Sequence, residues 1–166
     1  MSDSMTLNRA RDAGFTADAN QFLTFTVQGE EYGIDILRVQ EIKGFTTVRP
    51  IPNAPAYVKG VINLRGTVVP IVDLRSRFGM DVEAYNQFTV IIVVSVADKV
   101  VGLIVDAVSD VLNIPVDEVV DAPEMGGDVD TTYCAGLARI DEKLVLLLNI
   151  DKLINSEAMQ QLEATL

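Results

Sequence analysis

The sequence predicts an all-β fold made of two five-stranded, barrel-like units related by internal duplication, followed by a C-terminal amphipathic helix. Three observations support this prediction. Short stretches of alternating apolar and polar residues recur between turn residues, as in β-hairpins. The chain resembles itself at an offset of about 70 positions, which is too long for a solenoid repeat. Residues 151–162 carry apolar side chains at helical spacing.

The alternation predicts four hairpins and one further strand. The paired strands are residues 21–27 with 32–36, 61–64 with 67–74, 88–96 with 100–105, and 134–140 with 144–150. The further strand covers residues 39–42. Residues 50–55 contain three prolines and are predicted to be irregular, because proline lacks the N–H donor that a strand needs. Residues 90–94 form a continuous apolar run, which predicts a strand buried on both faces.

The duplication predicts the boundaries of the units. Residues 1–20 are polar and precede the first copy, so we expect a mobile arm there. The two copies give subdomains at about residues 21–78 and 88–155, and the helix covers 151–162. Each half is smaller than most chains that fold alone, so we expect the two to pack together. The seam between them is a natural place for a binding site.

One difference between the copies stands out at a hairpin tip. Arg65-Gly66 in the first copy aligns with Asp141-Glu142 in the second, so the charge is reversed. A positive charge is therefore not needed to form the turn. This makes Arg65 a candidate for function, whereas positions that are identical in both copies, such as Tyr57 and Tyr133, are predicted to serve the fold.

Composition excludes several classes of function. The net charge of −11 is unfavourable for binding nucleic acid. The chain has no histidine, which removes the commonest general base and the commonest metal ligand. Its one cysteine, Cys134, is predicted to be a buried, inert thiol. We see no cofactor motif, metal motif or apolar run long enough to insert into a membrane, and we expect a cytoplasmic protein.

No catalytic set is recognisable. Asp106 and Asp110 lie near each other in sequence, but acid/base catalysis needs carboxylates that converge in a cleft. The acidic residues at 117–130 match no calcium-binding loop. We therefore expect a binding protein and not an enzyme.

Four stretches carry a family resemblance. They are residues 30–42 (EEYGIDILRVQEI), 51–66 (IPNAPAYVKGVINLRG), 69–75 (VPIVDLR) and 102–111 (GLIVDAVSDV). In this order they resemble the CheW family, over nearly all of residues 21–155. The resemblance implies two SH3-like barrels and a free-standing adaptor. Its expected partners are the cytoplasmic tip of a chemoreceptor and the regulatory domain of a CheA-type histidine kinase, in membrane-associated receptor arrays.

The resemblance also suggests where a receptor helix would bind. The predicted receptor-binding residues are Ile36, Val39, Glu41, Ile42, Arg65, Gly66, Val90 and Val108. The apolar members would receive a helix face at the seam, although they also fit a purely structural core. Arg65 and Glu41 would form a coupled pair at the hairpin tip, or an exposed ion pair of little energetic value. Kinase contacts are expected at the outer ends of the barrels, on residues that the sequence does not identify.

Three other functions stay open on the residues alone. One is an adaptor for a different receptor–kinase pathway. Another is an enzyme that uses Asp106 and Asp110, and the third is a sensor that holds a small molecule in the seam.

Overall fold

The structure is a computed structural model and describes residues 21–81, 84–96, 99–115, 118–120 and 133–154. The strands within these residues are β1 Gln21–Val27, β2 Glu30–Asp35, β3 Val39–Gly44, β4 Val58–Leu64, β5 Thr67–Asp73, β6 Val90–Val96, β7 Lys99–Val105, β8 Ala107–Asn113, β9 Cys134–Ile140 and β10 Lys143–Leu148. Two short helices follow β5 and β10, namely α1 Leu74–Arg77 and α2 Ile150–Ile154. The predicted all-β class and the four hairpins are confirmed, while β8 was not predicted.

The strands form two five-stranded sheets that draw on both copies of the repeat. The first sheet has the order β8-β1-β2-β10-β9, and the second has the order β3-β6-β7-β5-β4. The expectation that each copy builds its own barrel is therefore corrected, because the β1–β2 hairpin joins three strands of the second copy. The ranges 21–78 and 88–155 describe the repeat copies and not the sheets. Five strands in each sheet agree with SH3-like barrels.

A parallel strand pair joins each exchanged hairpin to a strand of the other copy. β2 pairs in parallel with β10, and β7 pairs in parallel with β5. The two sheets are matched in register: Gly33 lies opposite Leu147 and the aligned Gly102 lies opposite Ile71. The duplication therefore extends to the pairing of individual residues.

Apolar side chains fill three cores. The first lies on one face of the first sheet and includes Phe22 and Leu147. The second lies on one face of the second sheet and includes Ile91 and Ile104. The third and largest, here called the seam core, contains side chains from both sheets and from both helices. β6 contributes to two cores, with Ile91 and Val93 on one side and Ile92 and Val94 on the other, so its predicted burial on both faces is confirmed.

The C-terminal helix is described only in part. Ile150, Leu153 and Ile154 of α2 are buried in the seam core, as the apolar spacing predicts. The rest of the predicted helix at 151–162 and the arm at 1–20 lie outside the described residues, as does most of the acidic stretch at 117–130. Among the described residues, no helix is long and apolar enough to cross a membrane.

Candidate functional site

The seam core has a rim of half-buried apolar side chains. Ile36, Val39, Val90 and Val108 pack against the seam core, and we call these four residues the seam rim. Val39 begins β3 and Val90 begins β6, and because these neighbouring strands are antiparallel the two residues lie at opposite ends of their ladder in the second sheet. Val108 lies on β8 of the first sheet. The rim thus combines residues from both sheets, at the seam where the sequence analysis expected them.

A capped turn of 3-10 helix connects β2 to β3. Residues Ile36–Arg38 form one turn of 3-10 helix, and the Asp35 carboxylate accepts a hydrogen bond from the Leu37 N–H at 2.9 Å. Capping of this kind satisfies a backbone donor that has no partner within the turn. β3 then starts at Val39, where its pairing with β6 is bulged before Glu41. Bulges re-aim side chains at sheet edges, and this one sits beside the seam rim.

Ile42 extends the apolar surface beyond the rim. It lies opposite Ile92 in the β3–β6 ladder, and Ile92 is buried in the seam core. Side chains directly opposite each other in a sheet point to the same face, so Ile42 faces the seam as well. It is nevertheless 44% exposed. Ile42 therefore offers apolar surface next to the rim.

The predicted contact between Glu41 and Arg65 is present. An Arg65 nitrogen, Nη2, lies 2.7 Å from Glu41 Oε2. The Arg65 side chain is 73% exposed and the Glu41 side chain 28% exposed, so water screens the pair. The contact ties the tip of the β4–β5 hairpin to β3, the strand that carries Val39 and Ile42.

The hairpin tip itself is tightly defined. Arg65 and Gly66 both have positive φ, at 50° and 88°. Two-residue hairpin turns with positive φ match the twist of the flanking strands. The Asn63 side chain accepts a hydrogen bond from the Gly66 N–H at 2.8 Å. Gly66 thus belongs to the site as the residue that shapes the turn presenting Arg65.

A polar network that the sequence pattern does not reveal lies beside α1. Arg75 Nη2 lies 3.4 Å from the completely buried carboxylate of Asp73, and its Nε lies 3.6 Å from Asp106 Oδ1. The Tyr85 hydroxyl donates to Asp73 at 2.8 Å, and the Arg75 guanidinium lies over the Tyr85 ring. Burial and this hydrogen bond raise the pKa of Tyr85 above its ordinary value. Charged residues are mostly exposed, so the sequence pattern gave no signal of burial here.

The structure does not support the carboxylate-enzyme alternative. Asp106 accepts a hydrogen bond from the Gln28 N–H, whereas Asp110 accepts one from the Val111 N–H. β8 runs extended between the two acids, which separates their backbones by about 13 Å. Both carboxylates are occupied by local contacts, and they do not converge as a catalytic pair.

Metal-binding and thiol chemistry find little support in the described part of the chain. Within those residues, no group of three or more potential ligands could hold a metal ion. Cys134 is half-buried, whereas a buried thiol was predicted. Its thiol contacts the Gly136 carbonyl at 3.2 Å. Burial raises the pKa of the Cys134 thiol, which disfavours the reactive thiolate.

Comparison with known proteins places this site in a family. Residues 21–158 match the CheW-like domain. The chain is 47% identical over 139 residues to the chemotaxis protein CheW of Klebsiella aerogenes, covering 84% of each chain. It is 39% identical to the chemotaxis protein CheW of Rhizobium meliloti, covering 86% of this chain and 92% of that one. The chain belongs to the CheW family.

The fold leads to the same family. The crystal structure of the scaffolding protein TtCheW from Thermoanaerobacter tengcongensis superposes with a TM-score of 0.77 at 31% identity, over 84% of this chain and 90% of that one. The match to the CheW-like domain includes the seam rim, the Glu41–Arg65 pair and both short helices. The candidate site therefore lies inside the part of the chain that defines membership of the CheW family.

Proposed function

We propose that the protein is a non-enzymatic adaptor that couples the cytoplasmic tip of a chemoreceptor to the regulatory domain of a CheA-type histidine kinase. The observation that carries the proposal is the seam rim beside the exposed Ile42, in a chain of the CheW family. Apolar side chains that stay half-exposed next to a filled core are suited to burial by a partner.

A helix of the receptor tip is the proposed occupant of the rim. An amphipathic helix presents apolar side chains at intervals of three and four residues and lays this face into an apolar depression. Val39 and Ile42 lie along β3, with Val108 on the other sheet. The two sheets would then contact the same helix from two sides.

The Glu41–Arg65 pair is the proposed orienting element. Arg65 stands at a hairpin tip and Glu41 on β3, one residue before Ile42 but on the opposite face of the strand, since its partner Val93 lies in the core on the other side of the second sheet. Charged groups at the border of an interface set register and partner choice more than they add affinity. Gly66 contributes by allowing the turn that places Arg65 there.

The kinase is proposed to bind elsewhere, at the outer ends of the two barrels. The adaptor would act in the cytoplasm and be recruited to receptor arrays at the membrane. Each contact need be only micromolar, about −8 kcal/mol, because an array engages several contacts at once. This arrangement lets one adaptor hold receptor and kinase at the same time.

Calorimetric titration tests the proposal. The protein is titrated with a CheA-type regulatory domain, with and without a receptor cytoplasmic fragment. Micromolar binding to the kinase domain that tightens in the ternary mixture is the expected result. Absence of binding to both partners by correctly folded protein would contradict the proposal.

A different receptor–kinase pathway is the second candidate. One relative, at 26% identity over 152 residues, is named Protein FrzA, from Myxococcus xanthus, and does not carry the CheW name. Binding to the receptor and kinase of one signalling system but not of another would distinguish the two candidates.

A further inference from the structure

Two ion pairs connect the repeat copies at the start of the two strands that carry Val39 and Val108. Arg38 immediately precedes β3, and its Nη2 lies 3.2 Å from Asp151 Oδ2 in α2. Asp106 immediately precedes β8, and its Oδ1 lies 3.6 Å from Arg75 Nε in α1. Each pair joins a residue of one copy to a residue of the other.

The two pairs are counterparts with the charges exchanged. Arg75 and Asp151 occupy aligned positions in α1 and α2, since Leu74 aligns with Ile150 in the duplication. In the first pair the base precedes a strand of the first copy and the acid lies on the helix of the second copy. In the second pair the acid precedes a strand of the second copy and the base lies on the helix of the first copy. Both bases therefore belong to the first copy and both acids to the second, and the two residues that precede the strands differ by one position in the alignment of the copies.

We propose that these pairs, Arg38–Asp151 and Arg75–Asp106, are positioning pairs that hold β3 and β8 at the spacing a receptor helix requires. Arg38 is adjacent to Val39 in the chain, and Asp106 lies two residues before Val108. The inference rests on the proposed function, because it concerns the same apolar rim. It adds residues that need not touch the receptor and that act through the position of the strands.

Two further hydrogen bonds fix the position of Asp106. The Asp106 N–H donates to the Thr26 carbonyl at 3.0 Å, and its carboxylate accepts from the Gln28 N–H at 2.7 Å. The start of β8 is thereby fixed to the β1–β2 hairpin as well as to Arg75. Fixing the residue just before β8 restricts the movement of Val108, the rim side chain on that strand.

The two pairs differ in burial, which decides how they are tested. The Arg38 and Asp151 side chains are 25% and 43% exposed, whereas Arg75 is 5% exposed and also faces the buried Asp73. Replacing Arg75 would leave a buried carboxylate unpaired and threaten folding. Arg38–Asp151 is therefore the pair to exchange.

The test is a charge exchange within that pair. Arg38→Asp, Asp151→Arg and the double variant are titrated with the receptor fragment and, separately, with the kinase domain. We expect each single change to weaken receptor binding about three- to fivefold, the range of a partly exposed ion pair. The double variant should return to within about twofold of the original affinity. Kinase binding should not change, and Lys152→Asp, an exposed charge change on the same helix, should leave both affinities unaltered.

Several results would overturn the inference. Unchanged receptor binding by the single variants would do so, as would a double variant as weak as either single. Parallel loss of receptor binding, kinase binding and melting temperature would show a purely structural role. If the original protein fails to bind the receptor fragment, the proposed function is lost as well, and this outcome differs from binding that the variants leave unchanged.

Discussion

The two hairpin tips of the repeat share a backbone and differ in charge. Arg65 and Gly66 have φ values of 50° and 88°, and the aligned Asp141 and Glu142 have 48° and 70°. The same turn is thus formed by a glycine in one copy and by a glutamate in the other. The comparison teaches that the turn does not require Arg65, so the charge of Arg65 stays a candidate for recognition.

The strands beside the tips extend the comparison. In the first copy, Glu41 pairs with Arg65 across 2.7 Å. In the second copy, Asp110 takes the place of Glu41 and is exposed, and the tip beyond it is acidic. Within the described residues, the first tip therefore forms an ion pair with β3. The second tip and the position aligned with Glu41 are all acidic, although the two sheets match in register.

The largest difference between the copies is expected at the helix position shared by Arg75 and Asp151. Arg75→Met leaves Asp73 buried without its cation and should lower the free energy of unfolding by about 3–5 kcal/mol. Asp151→Met breaks a pair that is partly exposed and should lower it by about 1 kcal/mol or less. Urea unfolding measures both losses. Equal losses would show that the buried network does not distinguish the copies.

A smaller difference is expected at the aligned glycines. A Cβ added at Gly102 would lie 2.5 Å from Ile71 Cδ1, while one added at Gly33 would lie 2.9 Å from Leu147 Cδ2. Gly102→Ala should therefore destabilise by about 1–3 kcal/mol through overpacking, and Gly33→Ala by less. Thermal unfolding of the two variants ranks them. The reverse order would mean that the side chains around Gly102 rearrange at a lower energetic cost than those around Gly33.

The smallest difference concerns two tyrosines, the buried Tyr32 and the partly buried Tyr85. The Tyr32 hydroxyl has no hydrogen-bond partner in the described part of the chain, whereas the Tyr85 hydroxyl is bound by Asp73. Tyr85→Phe should lower the free energy of unfolding by about 1 kcal/mol, and Tyr32→Phe should leave it unchanged or raise it slightly. Chemical unfolding at neutral pH measures both effects. Loss of stability in Tyr32→Phe would indicate that its hydroxyl is bound.

Alkaline pH gives a second measurement on Tyr32. Burial raises its pKa from 10.0 to about 12, so the folded state favours the neutral phenol. This contribution to stability is complete below pH 10 and is lost as the pH rises through about 12, because the unfolded chain ionises first. Tyr32→Phe should therefore lose less stability between these pH values than the original protein. An identical decline in both proteins would contradict the raised pKa.

The hairpins could be predicted from the sequence because they depend on local patterns, and the duplication because the chain resembles itself. Alternation marks strands, and short segments that are polar or contain glycine mark turns, so four hairpins were placed correctly. β8 was missed because its larger apolar side chains, at Val108, Val111 and Leu112, do not form a clear alternation and much of the strand is exposed. Its alignment with β3 was the signal that would have revealed it.

Strand partners were beyond the reach of periodicity. The pattern of β1 and β2 shows two hairpin strands, but it does not show that they pair with β8 and β10. That choice depends on burial across the whole seam core. The Asp73–Arg75 network was missed for a related reason, since burial of a charge is decided by its tertiary partners. The receptor-binding roles of the rim and of Arg65 stay predictions.

The most direct test of the central claim compares the two tips in one titration. Arg65→Glu reverses the charge of the tip that pairs with Glu41, and Glu142→Lys reverses a charge at the aligned tip of the second copy. Each protein is titrated with the receptor fragment, and its unfolding is measured alongside. We expect Arg65→Glu to weaken receptor binding about tenfold while its stability changes by about 1 kcal/mol or less. Glu142→Lys should bind as the original protein does. Equal affinities in all three proteins, or unfolding of Arg65→Glu, would contradict the proposed role of the first tip.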